Sequence, residues 1–166
     1  MRRILIIGAG GAGKSTLAGT LGQKLGIPVY HLDSLFWKPN WTPLPREQWK
    51  ITVQKLLKKE EWILDGNFGS TLDMRIEAAD TIIFLDYSSV RCLYGVVKRR
   101  IQYHGKTRPD MGKGCPEKLD WEFLKWIAGY KKNKSPEIIS KLSKLENKQV
   151  LHFHTPAEAY EFLKEL

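Results

Sequence analysis

Five short stretches are apolar without a helical period: 4–7, 29–33, 62–65, 81–86 and 149–153. Each reads as a strand. The run Thr81-Ile82-Ile83-Phe84-Leu85-Asp86 is continuous, as expected of a parallel strand covered on both faces. Between these stretches the apolar residues recur every three or four positions. Leu17, Leu21 and Leu25 predict a helix over 14–25, closed by Gly26 and Pro28. Trp49, Val53, Leu56 and Leu57 predict one over 46–60. A short helix suits 72–79. Val90, Leu93, Val97 and Ile101 form the predicted buried stripe of a helix over 88–102. Trp121, Leu124 and Ala128 place another over 119–130, with further helices over 136–145 and 156–166. Strands and helices alternate, which argues a parallel, doubly wound α/β sheet.

Two segments break the alternation. Residues 34–45 are aromatic and proline-rich, with Phe36, Trp37, Pro39, Trp41, Pro43 and Pro45. Residues 103–116 are polar and glycine-rich and read as a mobile loop. The expected organisation is one domain over 1–166, carrying an insertion at about 34–61 and a second movable piece at about 102–118.

The first strand runs into Gly8-Ala9-Gly10-Gly11-Ala12-Gly13-Lys14-Ser15-Thr16, and a helix follows. This is the G-x-x-x-x-G-K-[ST] pattern in its required strand–loop–helix setting. A loop that wraps triphosphate oxygens must point several N–H groups inward, with backbone angles that glycine alone adopts easily. Residues 8–16 are therefore the expected ATP site. Lys14 brings a point charge to the β- and γ-phosphates, Ser15 supplies a hydroxyl to Mg²⁺, and the helix N-terminus adds its dipole.

Composition narrows this little: 42% hydrophobic and 27% charged residues are ordinary globular values. No apolar run is long enough to span a membrane. Two cysteines are too few for a disulfide framework or a structural zinc site, so a cytoplasmic protein is the expectation. Charge changes the picture more. The net charge is +9, and residues 91–134 hold twelve Lys/Arg against four acids. Such a stretch suits the phosphates of small substrates, or DNA.

The segments GAGGAGKST (8–16), YHLDSLFWKPNW (30–41), WILDGNF (62–68), KRRIQYHGKTRPDM (98–111) and GCPEKLDWEFLKW (114–126) resemble the bacterial topology modulation proteins (FlaR-related). These are similar to P-loop kinases of the nucleoside-monophosphate and shikimate kinase type. The resemblance covers nearly the whole chain. It departs at Phe68, where Tyr is usual, and at Asn40, where Gly is common. It implies a three-layer P-loop NTPase fold with a five-stranded parallel sheet in the order 2-3-1-4-5, an acceptor-binding insertion and a lid. The family name also suggests an effect on DNA supercoiling.

The same resemblance gives roles to residues at strand ends. Asp33 would bind or orient the acceptor hydroxyl, and Asp65 would hold Mg²⁺ through water. The loop His154-Thr155-Pro156-Ala157 would cover the adenine through its backbone. Arginines flanking the lid (Arg99, Arg100, Arg108) are candidates to stabilise charge in phosphoryl transfer, with Arg100 and Arg108 preferred. Asn67 and Arg75 are candidates for holding the acceptor, Arg75 through an anionic group. Phe36 and Trp37, with Trp41, are candidates for stacking on a ring. His31 and His104 have no partners at metal spacing. The expected activity is ATP- and Mg²⁺-dependent phosphoryl transfer to a small molecule or nucleotide. The alternatives are a nucleotide-regulated DNA-binding protein and an ATPase without an acceptor.

Overall fold

The computed structural model describes residues 1–166. Five strands form one parallel sheet: β1 (Arg3–Gly8), β2 (Val29–His31), β3 (Trp62–Asp65), β4 (Thr81–Leu85) and β5 (Gln149–Phe153). Their order is β2-β3-β1-β4-β5, the doubly wound 2-3-1-4-5 arrangement. The helices are α1 (Lys14–Leu25), α2 (Leu32–Phe36), α3 (Arg46–Leu57), α4 (Leu72–Ala78), α5 (Ser89–Gln102), α6 (Trp121–Asn133), α7 (Ser135–Leu142) and α8 (Pro156–Glu165). A two-stranded ribbon joins 37–38 to 42–43. No helix is long and apolar enough to cross a membrane.

The three central strands are buried along almost their whole length, so both faces of the sheet are covered. Ile4 to Ile7, Trp62 to Leu64 and Ile82 to Leu85 form the middle of one hydrophobic cluster. This places the carboxyl ends of β1, β2 and β3 side by side, with Ile6 opposite Asp65 and His31 opposite Asp65 in register.

Several expected elements differ in detail. Strand β2 stops at His31, and Asp33 lies in the first turn of α2. Helix α6 starts at Trp121; it buries Ile127 and Tyr130, whereas Trp121 and Ala128 are exposed. The largest correction is α5. Its predicted stripe faces outward, with Val90, Val97 and Ile101 exposed, and the buried residues are Cys92 and Val96. The reason is a close approach of backbones. A Cβ on Gly95 would collide with the Gly11 carbonyl oxygen, and one on Gly11 would collide with that of Cys92. Small residues, not large apolar ones, face the sheet there.

The segment 103–116 has no regular structure but is packed rather than open. Arg108, Met111, Cys115 and Glu117 are buried, and His104 bridges to Glu117. It leans on the 37–40 turn: Asn40 N–H donates to the Gly114 carbonyl at 3.0 Å, and the Cys115 thiol to the Lys38 carbonyl at 3.1 Å. Asn40 takes a left-handed conformation (φ 61°). Asn is, after Gly, the residue that tolerates it best, so the turn survives the departure from Gly.

Asp86 anchors the far side of the sheet. It accepts from Ser135 Oγ (2.7 Å) and His152 Nε2 (3.0 Å), and its Oδ2 pairs with Lys131 Nζ at 2.6 Å. His154 completes this cluster, whose cation is the Lys131 ammonium. Burial alone would raise the Asp86 carboxyl; Lys131, Ser135 and His152 together hold it below the usual range. A depressed carboxylate contributes stability above its unfolded pKa, and that contribution is lost as pH falls through the folded value. Asp86→Ala should therefore cost about 3 kcal/mol at pH 7, discounted for the half-exposed Lys131. Urea titrations at pH 7 and pH 3 check this, with the gap between wild type and variant closing at the lower pH.

Candidate functional site

The loop between β1 and α1 is an anion cradle. Gly13 is left-handed (φ 88°) and gives α1 no side-chain cap. The N–H groups of Gly10, Gly11, Gly13, Lys14, Ser15 and Thr16 take no acceptor within the chain. Orphan donors at a helix N-terminus are what phosphate oxygens bind. Lys14 folds over the loop and donates to the carbonyls of Gly8 and Ala9, each at 2.9 Å. Burial pushes its pKa down, against the pull of Asp65 and Asp33.

Ser15 and Asp65, fifty residues apart, meet here. Ser15 Oγ donates to Asp65 Oδ2 at 2.7 Å. Asp65 is 4% exposed, and its other oxygen takes His31 Nδ1 at 2.7 Å. That bond raises the His31 pKa from its ordinary value. A hydroxyl and a carboxylate are hard oxygen donors, the chemistry that suits Mg²⁺, and His31 fixes the carboxylate's orientation. His31 has no local sequence signal for this part, since its partner lies across two strands.

Asp33 is half-buried beside them. Its carboxylate caps no helix. Burial pushes its pKa up, and Lys14 and Arg108 act against that rise. Asp110 is the functional-site residue that the sequence reading missed. It sits in the quoted segment 98–111 and reaches Ser15 from the packed loop. Burial would raise its carboxyl, but Arg108 and the Ser15 hydroxyl hold it low.

Of the arginines, Arg108 comes to the site and Arg100 does not. Arg108 Nη1 donates to Asp110 Oδ2 at 3.0 Å, and its Nε stands 2.7 Å from Glu117 Oε2. Arg99 Nε donates to the other Glu117 oxygen at 3.0 Å, and its charge bears on Lys14. Arg100 points outward to His104. The face of α5 that meets the loop through Gly95 presents Arg99 one turn on, which puts Arg99 where Arg100 was expected. Lys131 is also paired, with Asp86, so the basic stretch 91–134 is not one free face. The DNA-binding reading gains no support.

Arg75 is a second correction. It is fully buried, and its guanidinium donates to the carbonyls of Thr71, Gly66, Asn67 and Phe68. Desolvation alone lowers its pKa to about 9. It gathers the turn after β3 rather than facing a ligand. Asn67 is likewise engaged, its Oδ1 accepting from the Gly8 N–H (3.3 Å) and the Tyr130 hydroxyl (3.4 Å). Phe36 packs on Trp37, Trp49 and Phe68, with ring centroids 4.9, 5.2 and 4.8 Å away, and Trp37 on Trp41 at 5.6 Å. These rings build a wall of the insertion.

The structure is similar to shikimate kinase from Bacteroides thetaiotaomicron, with a TM-score of 0.60 and 17% identity over 99% of this chain and 95% of that one. The fold is that of the P-loop kinases. Shikimate kinase from Aquifex aeolicus vf5 matches at TM-score 0.58 and 20% identity, covering 98% and 92% of the two chains. A gluconokinase from Sinorhizobium meliloti 1021 matches at 0.54 and 16%, covering 99% and 92%. In sequence, the chain is 29% identical over 134 residues to the uncharacterized protein YqaC of Bacillus subtilis (strain 168), spanning 78% of this chain and 72% of YqaC. No family model matches the chain.

The two arginine corrections are measurable together. Arg75→Met strands four buried carbonyls and should cost about 3–5 kcal/mol in chemical denaturation. Arg100→Ala, on the surface, should stay within about 0.5 kcal/mol of wild type.

Proposed function

We propose that the protein is a kinase that transfers the γ-phosphoryl group of ATP to the hydroxyl of a small-molecule or nucleotide acceptor. One observation carries this reading: a carboxyl with no hydrogen-bond duty, Asp33, stands beside the lysine of an anion-binding loop whose serine is already paired with Asp65. The fold of the shikimate kinases and the gluconokinase supports it.

Residues 8–16 hold the triphosphate through backbone N–H groups and Lys14. Ser15, and Asp65 through water, would hold Mg²⁺, which when bound neutralises phosphate charge and fixes the γ-phosphoryl group. Asp33 accepts the acceptor's hydroxyl proton as the acceptor oxygen bonds to the γ-phosphorus. The bond from that phosphorus to the β–γ bridging oxygen breaks, and ADP leaves. Arg99 and Arg108 stabilise charge spread over the equatorial oxygens. Residues 34–61 serve as the acceptor-binding insertion and 102–118 as the lid, closed here on the 37–40 turn. An ATPase without an acceptor gives Asp33 no task, since water needs no positioned insertion to hold it.

Lys14→Ala should weaken ATP·Mg²⁺ binding and cripple turnover, read by calorimetric titration and product assay. Asp33→Asn should abolish transfer while ATP still binds. In the wild type Asp33 must be ionised to take the proton, and burial raises its pKa. Activity should then fall as pH drops through that raised value, with the acid limb above the ordinary carboxylate range. Full transferase activity in Asp33→Asn would reduce Asp33 to a structural role.

A further inference from the structure

The charges around the acceptor side are unusually biased for a site that handles phosphates. Lys14, Arg99 and Arg108 are its cations. Four carboxylates face them: Asp33, Asp65, Asp110 and Glu117. Glu117 is shared by Arg99 and Arg108, and Arg108 is bound again by Asp110. The acids therefore outnumber the cations before any nucleotide arrives, and ATP·Mg²⁺ remains net negative.

The cations that might have received an anionic acceptor lie elsewhere. Arg75 has its guanidinium on four backbone carbonyls. Arg46 and Lys50 are exposed on α3 and line a separate hollow with Glu47, Ser70 and Met74, which includes none of Lys14, Ser15, Asp33 or Asp65. What borders the acceptor side instead is aromatic, with Phe36 and Trp37 half-buried in the insertion. Aromatic faces attract cations and accept neutral rings, but they do not pair with carboxylates or phosphates.

We infer that the phosphoryl acceptor is an uncharged or cationic alcohol, not a carboxylate or a phosphate monoester. This rests on the kinase reading above and narrows it. A second negative charge placed beside Asp33 and Asp110 would be repelled at short range, with no free cation to answer it. An ammonium on the acceptor would instead be held by Asp110 or the aromatic wall.

The test uses matched sets on one scaffold, with ATP·Mg²⁺ and mass-spectrometric detection of the phosphorylated acceptor. One set is nucleosides against their 5′-monophosphates. Another is a hexose, its amino sugar, its aldonic acid and its phosphate. Phosphoryl transfer should be confined to the neutral and amine members, with anionic partners at least about a hundredfold lower in kcat/KM. Glu117→Gln, which releases Arg99 and Arg108, should narrow that gap about tenfold. Anionic members used as well as their neutral partners would overturn the assignment and leave the kinase reading standing. No transfer to any member, with ATP·Mg²⁺ binding intact, would sink the kinase reading and this assignment with it.

Discussion

The contact that the site depends on is the backbone-to-backbone approach of the phosphate-binding loop to helix α5. Gly11 meets the Cys92 carbonyl, and Gly95 meets the Gly11 carbonyl. Neither glycine can take a side chain without moving one element off the other. The contact sets the height of the loop against α5. It also sets the rotation of α5, because Cys92, Gly95 and Val96 must face inward. Once that rotation is fixed, Arg99 follows on the same side one turn later. Through Glu117 it fixes Arg108, and through Arg108 it fixes Asp110. One steric constraint thus orders a chain of ion pairs that ends against Ser15.

The sequence made some of this legible and hid the rest for physical reasons. Central strands are readable because burial on both faces leaves continuous apolar runs. The loop is readable because its conformation requires glycine at fixed spacing. Helix α5 misleads because periodicity assumes that the strongest apolar stripe faces the core. Here backbone proximity overrides it, and Val90, Val97 and Ile101 are left outside. Arg75 misleads in another way. A residue type suited to anions is instead surrounded by carbonyls that a tight turn leaves unpaired, which no local pattern announces. His31, Asp110 and Glu117 act through partners distant in the chain, so their roles exist only once β2, β3 and the 103–116 segment are placed.

The turn after β3 shows how strain is held where it is useful. Phe68 has φ 34° and ψ 77°, a left-handed conformation that a bulky residue resists. Three consecutive carbonyls, Gly66 to Phe68, converge on the Arg75 guanidinium. Charge-assisted hydrogen bonds of this kind offset a strain of order 1–3 kcal/mol. The result aims the Phe68 ring at Phe36 and Trp49 (4.8 and 4.9 Å), joining the turn to the insertion. The aromatic wall is thereby fastened to the strand that carries Asp65. A phenol at position 68 is not needed for that packing, which accounts for Phe where the resembled family has Tyr.

The paired charges also bear on how the site accepts its ligand. An isolated ammonium or guanidinium in so enclosed a place would be costly. Lys14 avoids that cost with two carbonyls, and Arg99 and Arg108 avoid it with Glu117 and Asp110. Phosphate oxygens compete for the same donors, so binding exchanges partners rather than creating charge pairs from nothing. The exchange differs by residue. Lys14 gives up neutral carbonyls, weak competitors for a phosphate. Arg99 and Arg108 would have to share with buried carboxylates, which are strong ones. Ground-state phosphates therefore gain most at Lys14. The guanidinia gain most when the equatorial oxygens carry their greatest charge, in the transition state. Glu117 thus restrains ground-state binding by the arginines while keeping them aimed, and the tightness of that pairing sets how much of their charge is reserved for the chemical step.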